Sequence, residues 1–446
     1  MSEITGCMYE VVFAAAMCVA AMLGGGVIAL PYAVSILSPI IGTFVLLFAG
    51  GVTLYTGWIL GELFLHSEIL HPEIENIDYD KVEMLGVTHD PEEGFRDSPN
   101  VEEVKEEEQQ ECIIPTMPPY AMIARESVGL WGECLTYASQ VITLVGVDVI
   151  FLVLCGINLS LMAEFAHGSI SVSVGIMVVA FVSLLMSFLM SDVAHYTPFI
   201  WVAVLTTLAG IILRWITIVD SAPEHPSSPP DFSLYSSLEA FGAIAFSFGG
   251  HAGFPYYQQN MKSSHQKYFG ISVLIAYAYI LTLEGPFCIT VALLYKGDLA
   301  PNFLESLPDN TLSIVILSLF TLHMLTAIST IVPPVAHNLL YLIRIVNPDL
   351  EIERKDIALC SPFIVQLVAV IIALTLQENF FSVMALLGNT TITLCTFVLP
   401  AVFYLANPRV QETTTLIRQI GCWICITFGT TVGILSIIMF FWNIFQ

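Results

Sequence analysis

One eight-residue pattern occurs twice in this chain. Gly25-Gly26-Val27-Ile28-Ala29-Leu30-Pro31-Tyr32 lies in the first long apolar segment, and Gly249-Gly250-His251-Ala252-Gly253-Phe254-Pro255-Tyr256 lies in the sixth. Both read G-G-x-x-x-[L/F]-P-Y. Each copy puts two glycines and a proline into a stretch that otherwise reads as a continuous helix. Glycine weakens a helix, and proline removes a donor and clashes with the preceding turn. Inside a bilayer, backbone groups freed in this way must be satisfied by protein or by a water-filled cavity. Matched interruptions in two halves of a membrane chain therefore point to a binding site at mid-membrane.

The bilayer itself follows from composition. Of 446 residues, 56% are hydrophobic and 11% charged, and the mean hydropathy is +0.80. These values exclude a soluble globule. Eleven apolar segments have the length of a span: 11–37, 41–65, 134–161, 171–190, 197–218, 237–258, 269–295, 312–343, 360–377, 380–404 and 418–443. Span eight carries Pro333-Pro334 and is expected to kink or to end in an irregular turn. The first segment is too long for a leader's apolar core, and Lys and Arg are absent before it, so it reads as a retained span. Residues 1–10 form a short cytoplasmic N-terminus, and 11–446 form the bundle.

The net charge of −25 is not spread evenly. Residues 67–119 hold 16 Asp/Glu against 3 Lys/Arg. That segment reads as a disordered, acidic cytoplasmic insertion, a docking segment for a protein partner or a solvated loop tolerated at the surface. The acidic balance argues against nucleic acid. Placing the N-terminus in the cytoplasm puts eleven Lys/Arg inside and leaves Arg214 and Lys296 outside. Spans one and six then run in opposite directions, as an inverted repeat of five plus five spans requires. The ten cysteines lie mostly in apolar segments, and Cys422-x-x-Cys425 has no His or acidic neighbour, so neither a metal site nor a disulfide framework is read from them. No cofactor is implied. Asn158 and Asn389 open N-x-[ST] sequons, but both lie in or against spans, where no glycan is expected.

At each interruption the next half-helix offers free N–H groups and the preceding half offers free carbonyls, which together suit a zwitterion. Gly24, Gly25, Gly26 and Val27 would approach the substrate from span one, with Phe246, Ser247, Gly249 and Gly250 facing them from span six. His251 follows the second glycine pair and is a proton-handling candidate. As a structural group it would be a neutral ring bonded to a carbonyl of the broken helix. Asp148 in span three and Glu284 in span seven are intramembrane acids, so either could carry a coupling proton or serve as a polar contact between helices. Asp148 shares a face with Tyr137, Gln140 and Leu144. Glu62 lies nearer the cytoplasmic end of span two. In span eight His323, Thr326 and Thr330 form one stripe with Ser329 beside it, facing either a cavity or backbone.

Gly24 to Pro31 and Phe246 to Pro255 resemble the signatures of the amino acid/auxin permease family, which includes vesicular inhibitory and proton-coupled amino acid transporters. Gly146 to Leu159, Tyr295-Lys296-Gly297-Asp298 and the Pro333 region are also similar. The resemblance spans the chain outside the acidic segment. It implies an all-α membrane fold of eleven transmembrane helices, a LeuT-like 5+5 inverted repeat with helices 1 and 6 broken. It also implies secondary transport of amino acids, often driven by protons, in the plasma membrane or a vesicular or lysosomal membrane. Sodium-coupled members carry an asparagine one turn before the first glycine motif. Ala20 stands there in this chain, which favours a proton or no ion.

The alternatives to a transporter are a sensor, a channel and an enzyme. A sensor of transporter fold would signal substrate through the acidic segment. A channel would need a ring of charges or a repeated filter, and the sequence has neither. An enzyme would need a nucleophile–base motif, which the sequence also lacks. Around the glycines, Phe246, Phe248 and Phe254 suit neutral, apolar amino acid side chains.

Overall fold

The computed structural model describes residues 2–67, 117–189, 193–228, 232–346, 354–411 and 414–444. These residues form helices and short turns throughout. Among the described residues, eight helices are long and apolar enough to cross a membrane, and two shorter apolar helices accompany them. The acidic segment assigned to 67–119 lies outside the described residues except at its edges.

The first apolar segment is two helices, α1 (Ser2–Met22) and α2 (Gly25–Ile36). A tight reversal leads to α3 (Pro39–Leu65). Ser38 takes a positive φ of 69° in that reversal, and Pro39 supplies the preset first-turn φ of the new helix. Gly42 is required by the close approach of the two helices, because a Cβ there would sit 2.7 Å from the Val34 carbonyl oxygen. A short helix, α4 (Pro119–Val128), precedes α5 (Leu130–Phe165). Next come α6 (Val172–Leu189), α7 (Val193–Asp220) and α8 (Leu234–Ser247). The six-residue α9 (Phe254–Gln259) follows, and then α10 (Phe269–Tyr295).

Helix α11 (Thr311–Val346) runs unbroken through Pro333 and Pro334. The expected irregular turn is absent there; the prolines are absorbed within a 36-residue helix. After α12 (Arg354–Leu376) the chain enters α13 (Phe380–Leu387), passes through two wide π turns over Gly388–Ile392 and Leu394–Val398, and resumes as α14 (Leu399–Ala406). The one-turn α15 (Pro408–Gln411) and the long α16 (Leu416–Ile444) complete the chain.

Polar contacts fasten the periphery. Asp298 accepts from the Ser227 hydroxyl at 2.5 Å and from its backbone N–H at 3.0 Å. Ser35, near the end of α2, donates to the Lys296 carbonyl at 2.7 Å. At the other end Glu62 accepts from Arg418 at 2.8 Å and from Trp58 at 2.9 Å. Cys422 and Cys425 are buried packing residues, with Tyr55 Oη 3.4 Å from the Cys422 sulfur. Asn158 is also buried and donates to Thr321 Oγ1 at 3.1 Å, and Asn389 is buried in the first π turn. Neither sequon is on an open surface.

Candidate functional site at two interrupted helices

The two glycine-proline copies meet inside the bundle. Helix α1 ends at Met22, and Leu23 and Gly24 are the whole of the first interruption. Gly25 and Gly26 already belong to α2, and no side chain caps its N-terminus. The first-turn N–H groups of α2 therefore converge with no side-chain acceptor, a ready anion site. The Phe151 ring of α5 lies on Gly24, and Ile150 and Leu154 cover Gly25. A Cβ added to Gly26 would sit 2.6 Å from Ser247 Cα. Gly26–Ser247 is thus the point where the backbones of the two broken helices touch. Val27 is buried beside it.

The second interruption is longer. Helix α8 ends at Ser247, whose hydroxyl donates to its own helix at Ala243. Phe248 to Gly253 then form a run of tight backbone turns before α9. Two carbonyls in this run are claimed by side chains from opposite neighbours. Tyr277 Oη of α10 donates to Phe248 O at 2.8 Å, and Gln140 Nε2 of α5 donates to Ala252 O at 2.6 Å. The expectation of free carbonyls at this interruption is corrected for these two, because neighbouring helices supply the donors that the missing helical turn would have supplied. Gly249 packs on Ile392 of the first π turn, and Gly250 packs on Met22 and Phe254. Phe246, Phe248 and Phe254 are all buried. The space beside the glycines is filled by protein in this conformation.

His251 turns away from the first interruption. Its Nε2–H lies 3.1 Å from the Thr53 carbonyl and 3.0 Å from Thr56 Oγ1, both on α3. Its ring stacks on Phe254 with centroids 4.6 Å apart. The carbonyl it engages belongs to unbroken α3, not to either broken helix. Its Nδ1 is buried without a partner.

The two intramembrane acids differ sharply. Asp148 is fully buried, and neither carboxyl oxygen has a hydrogen-bond partner. It sits on the face of α5 that packs on α11, between Tyr137, which donates to Asn338 O, and Cys155, whose sulfur is 3.9 Å from Thr321 O. Glu284 is bonded to Arg214 of α7 in a pair that is 1% and 0% exposed. The Arg214 guanidinium lies 3.8 Å from the Phe287 ring centre and 5.4 Å from those of Phe303 and Phe320. Charge counting had placed Arg214 outside; the structure buries it in α7, where Glu284 and aromatic faces compensate it.

The span-eight stripe splits. His323 Nδ1 is 2.9 Å from Ala203 O and 2.5 Å from Thr207 Oγ1, both on α7. Thr326 donates to its own helix at Leu322 and His323, and the Thr330 side chain lies outside the described residues. Thus Gly26, between Gly25 and Val27, meets Ser247, and Gly250 meets Met22 beside Gly24; Gly249 faces Ile392 and Phe246 is buried next to Ser247, while Thr326 bonds to its own helix and His251 and Glu284 engage other helices. Sequence reasoning passed over Phe151, Tyr277, Arg214 as a pair partner, and the π turns. Tyr277 and Gln140 carry a readable signal, a polar group in an apolar span. Phe151 carries none.

The family described as transmembrane amino acid transporter protein matches residues 10–442. No curated protein matches the chain in sequence. Among solved structures, a point variant of a manganese transporter from Eremococcus coleocola is similar at a TM-score of 0.56 and 10% identity, over 96% of this chain and 86% of that one. The same transporter in complex with an aromatic bis-isothiourea substituted compound is similar at 0.55 and 11% identity, over 98% and 87%. At this identity the likeness speaks for the fold alone. The match over nearly its whole length makes this chain, a multi-pass membrane transporter, a member of the transmembrane amino acid transporter family.

Proposed function

We propose that the chain is a secondary active transporter of neutral L-amino acids that works by alternating access and takes a proton as its coupling ion. The observation that carries this reading is the contact of the two interruptions at Gly26 and Ser247, beside an uncapped helix N-terminus. A carboxylate fits that N-terminus, and the apolar wall of Phe246, Phe248 and Phe254 fits an uncharged side chain. The eleven crossings run in the order of a LeuT-like 5+5 repeat plus one, with the N-terminus in the cytoplasm. Either a plasma or a vesicular membrane suits it.

Asp148 is the proton carrier in this proposal. An ionised carboxylate buried without a partner is costly, so a proton has a reason to accompany it. Glu284 is already engaged by Arg214. Manganese does not transfer from the structural neighbour: among the described residues no three His, Cys, Asp or Glu side chains gather as a metal site would need.

Uptake of radiolabelled neutral amino acids into liposomes holding purified protein tests the reading. An inward proton gradient should drive accumulation, and an inward sodium gradient should not. Asp148→Asn should abolish accumulation and leave counterflow into preloaded liposomes. Sodium-driven accumulation, or proton-driven accumulation by Asp148→Asn, would sink the coupling assignment. No amino acid movement under any gradient would sink the substrate.

A further inference from the structure

Helix α8, helix α13 with the π turn after it, and helix α16 enclose a small polar cavity. Tyr235 and Glu239 line it from α8, Ser382 and Asn389 from α13 and the π turn, and Ser436 from α16; its other walls are apolar. The cavity measures about 20 Å³, room for one particle the size of a water.

Two of these side chains are buried with a polar atom unanswered. Asn389 is 2% exposed. Its amide nitrogen donates to Leu238 O at 2.7 Å, which fixes the orientation of the amide, and its Oδ1 has no partner. Ser436 is 6% exposed, and its hydroxyl has no partner either. Other hydroxyls of α16 fall back on their own helix: Thr430 donates to Ile426 O at 2.6 Å and Thr431 to Thr427 O at 2.7 Å. Ser436 does not take that local bond. Orphaned buried polar atoms are costly, so two of them on one cavity point to a particle that answers both. The backbone is shaped to bring Asn389 there. It lies in a π turn, a distortion that recurs at functional sites. Gly242 and Gly388 let α8 and the turn touch backbone to backbone, because a Cβ on either would strike a carbonyl of the opposite segment.

Charge selects the occupant. Glu239 is half-buried, and its carboxylate accepts from Ser382 Oγ at 2.5 Å. Among the described residues, none that lines the cavity is basic. A water would answer the orphans and leave the carboxylate's charge unbalanced beside apolar walls. A divalent ion would bring more charge than one carboxylate balances. An organic cation would not fit the volume. We propose that Glu239, Asn389 and Ser436, with Ser382 and Tyr235 beside them, bind a small monovalent cation, sodium or potassium. No lining residue belongs to either interruption, so the ion is a resident brace and not cargo, and a sodium gradient is still not expected to drive uptake. The ion fastens α8 to the π turn whose Ile392 lies against Gly249.

Cation binding to the purified, detergent-solubilised protein tests the site. The probes are radioactive sodium, radioactive rubidium as the stand-in for potassium, and thermal unfolding in sodium, potassium or choline chloride at one ionic strength. One of the two ions should bind saturably and raise the unfolding midpoint above that in choline. Glu239→Gln should weaken that binding at least about tenfold, the scale of one contact to a charged group. Ser436→Ala should weaken it about fivefold, the scale of one neutral contact, and it still decides the matter if Glu239→Gln fails to fold. Asp148→Asn should bind the ion as the wild type does. Absence of binding and of any midpoint shift in the wild type would leave the cavity to a water and overturn the proposal. Binding that Ser436→Ala and Glu239→Gln leave unchanged, or that Asp148→Asn abolishes, would put the ion elsewhere and overturn it as well.

Discussion

The two copies of G-G-x-x-x-[L/F]-P-Y are nearly the same string and fold differently. In the first, the interruption is two residues long, the glycine pair starts α2, and Pro31 lies inside that helix. In the second, the glycines belong to a six-residue turn and Pro255 falls in the first turn of α9, where a missing N–H costs nothing. The intervening residues account for part of the difference. Val27-Ile28-Ala29 continue a helix readily, whereas His251-Ala252-Gly253 hold a turn that α3, α5 and α10 fasten through His251, Ala252 and Phe248. A shared motif thus marks where a helix may be cut, and its neighbours decide how wide the cut becomes. The narrow cut offers N–H groups, while the wide one has two of its carbonyls taken by protein.

Substitutions can break or sharpen this contrast. The largest effect is expected from Gly26→Val. The added carbons meet Ser247 backbone, which cannot yield as a side chain can, and misplacement at such a contact should lower uptake about 100-fold. Gly249→Ala meets the Ile392 side chain instead and should cost far less. Equal losses in the liposome assay would erase the difference between backbone and side-chain contact.

Damage that leaves the Gly26–Ser247 contact in place should act on stability instead. Glu284→Gln strands Arg214 and should destabilise the detergent-solubilised protein by about 3–5 kcal/mol in thermal unfolding. Adding Arg214→Gln should restore much of it. An unchanged melting temperature in the single variant would show that the pair is idle. His251→Leu removes the anchor of the wide turn on α3 and should cost about 1–3 kcal/mol, with exchange at residues 249–254 rising more than at 24–29. Uniform exchange would contradict a locally fastened turn.

The prolines give the smallest effects. Pro31→Ala restores an N–H inside α2 and should straighten and stabilise that helix. Pro255→Ala should change stability by less than about 1 kcal/mol. Reversal of that order would mean that the two prolines do not occupy different helical positions.

Where the helices break could be read from the sequence, because glycine and proline act locally. How far they break could not, because the width depends on Gln140, 112 residues before the carbonyl it bonds, and Tyr277, 29 residues after its own. For the same reason Arg214 read as an outer charge: its partner lies 70 residues on. Pro333-Pro334 suggested a kink or an irregular ending turn, and α11 continues past both prolines without such a turn. The π turns after Gly388 have no local signature in Gly388-Asn389-Thr390-Thr391; packing against α8 and α16 accompanies them. The glycines of the site were legible, and the side chains that cover them were not.

The contrast between the lone Asp148 and the matched Arg214–Glu284 pair has an electrical consequence. A matched pair contributes no net charge to whatever moves, and a zwitterionic amino acid contributes none either. Under the proposed coupling, the proton on Asp148 is then the whole charge carried per cycle, so each cycle is one unit of current. A potential of 100 mV acts on that charge with about 2.3 kcal/mol, enough by itself to support roughly 50-fold accumulation. Voltage, and not acidity alone, would set how far this protein can concentrate its substrate.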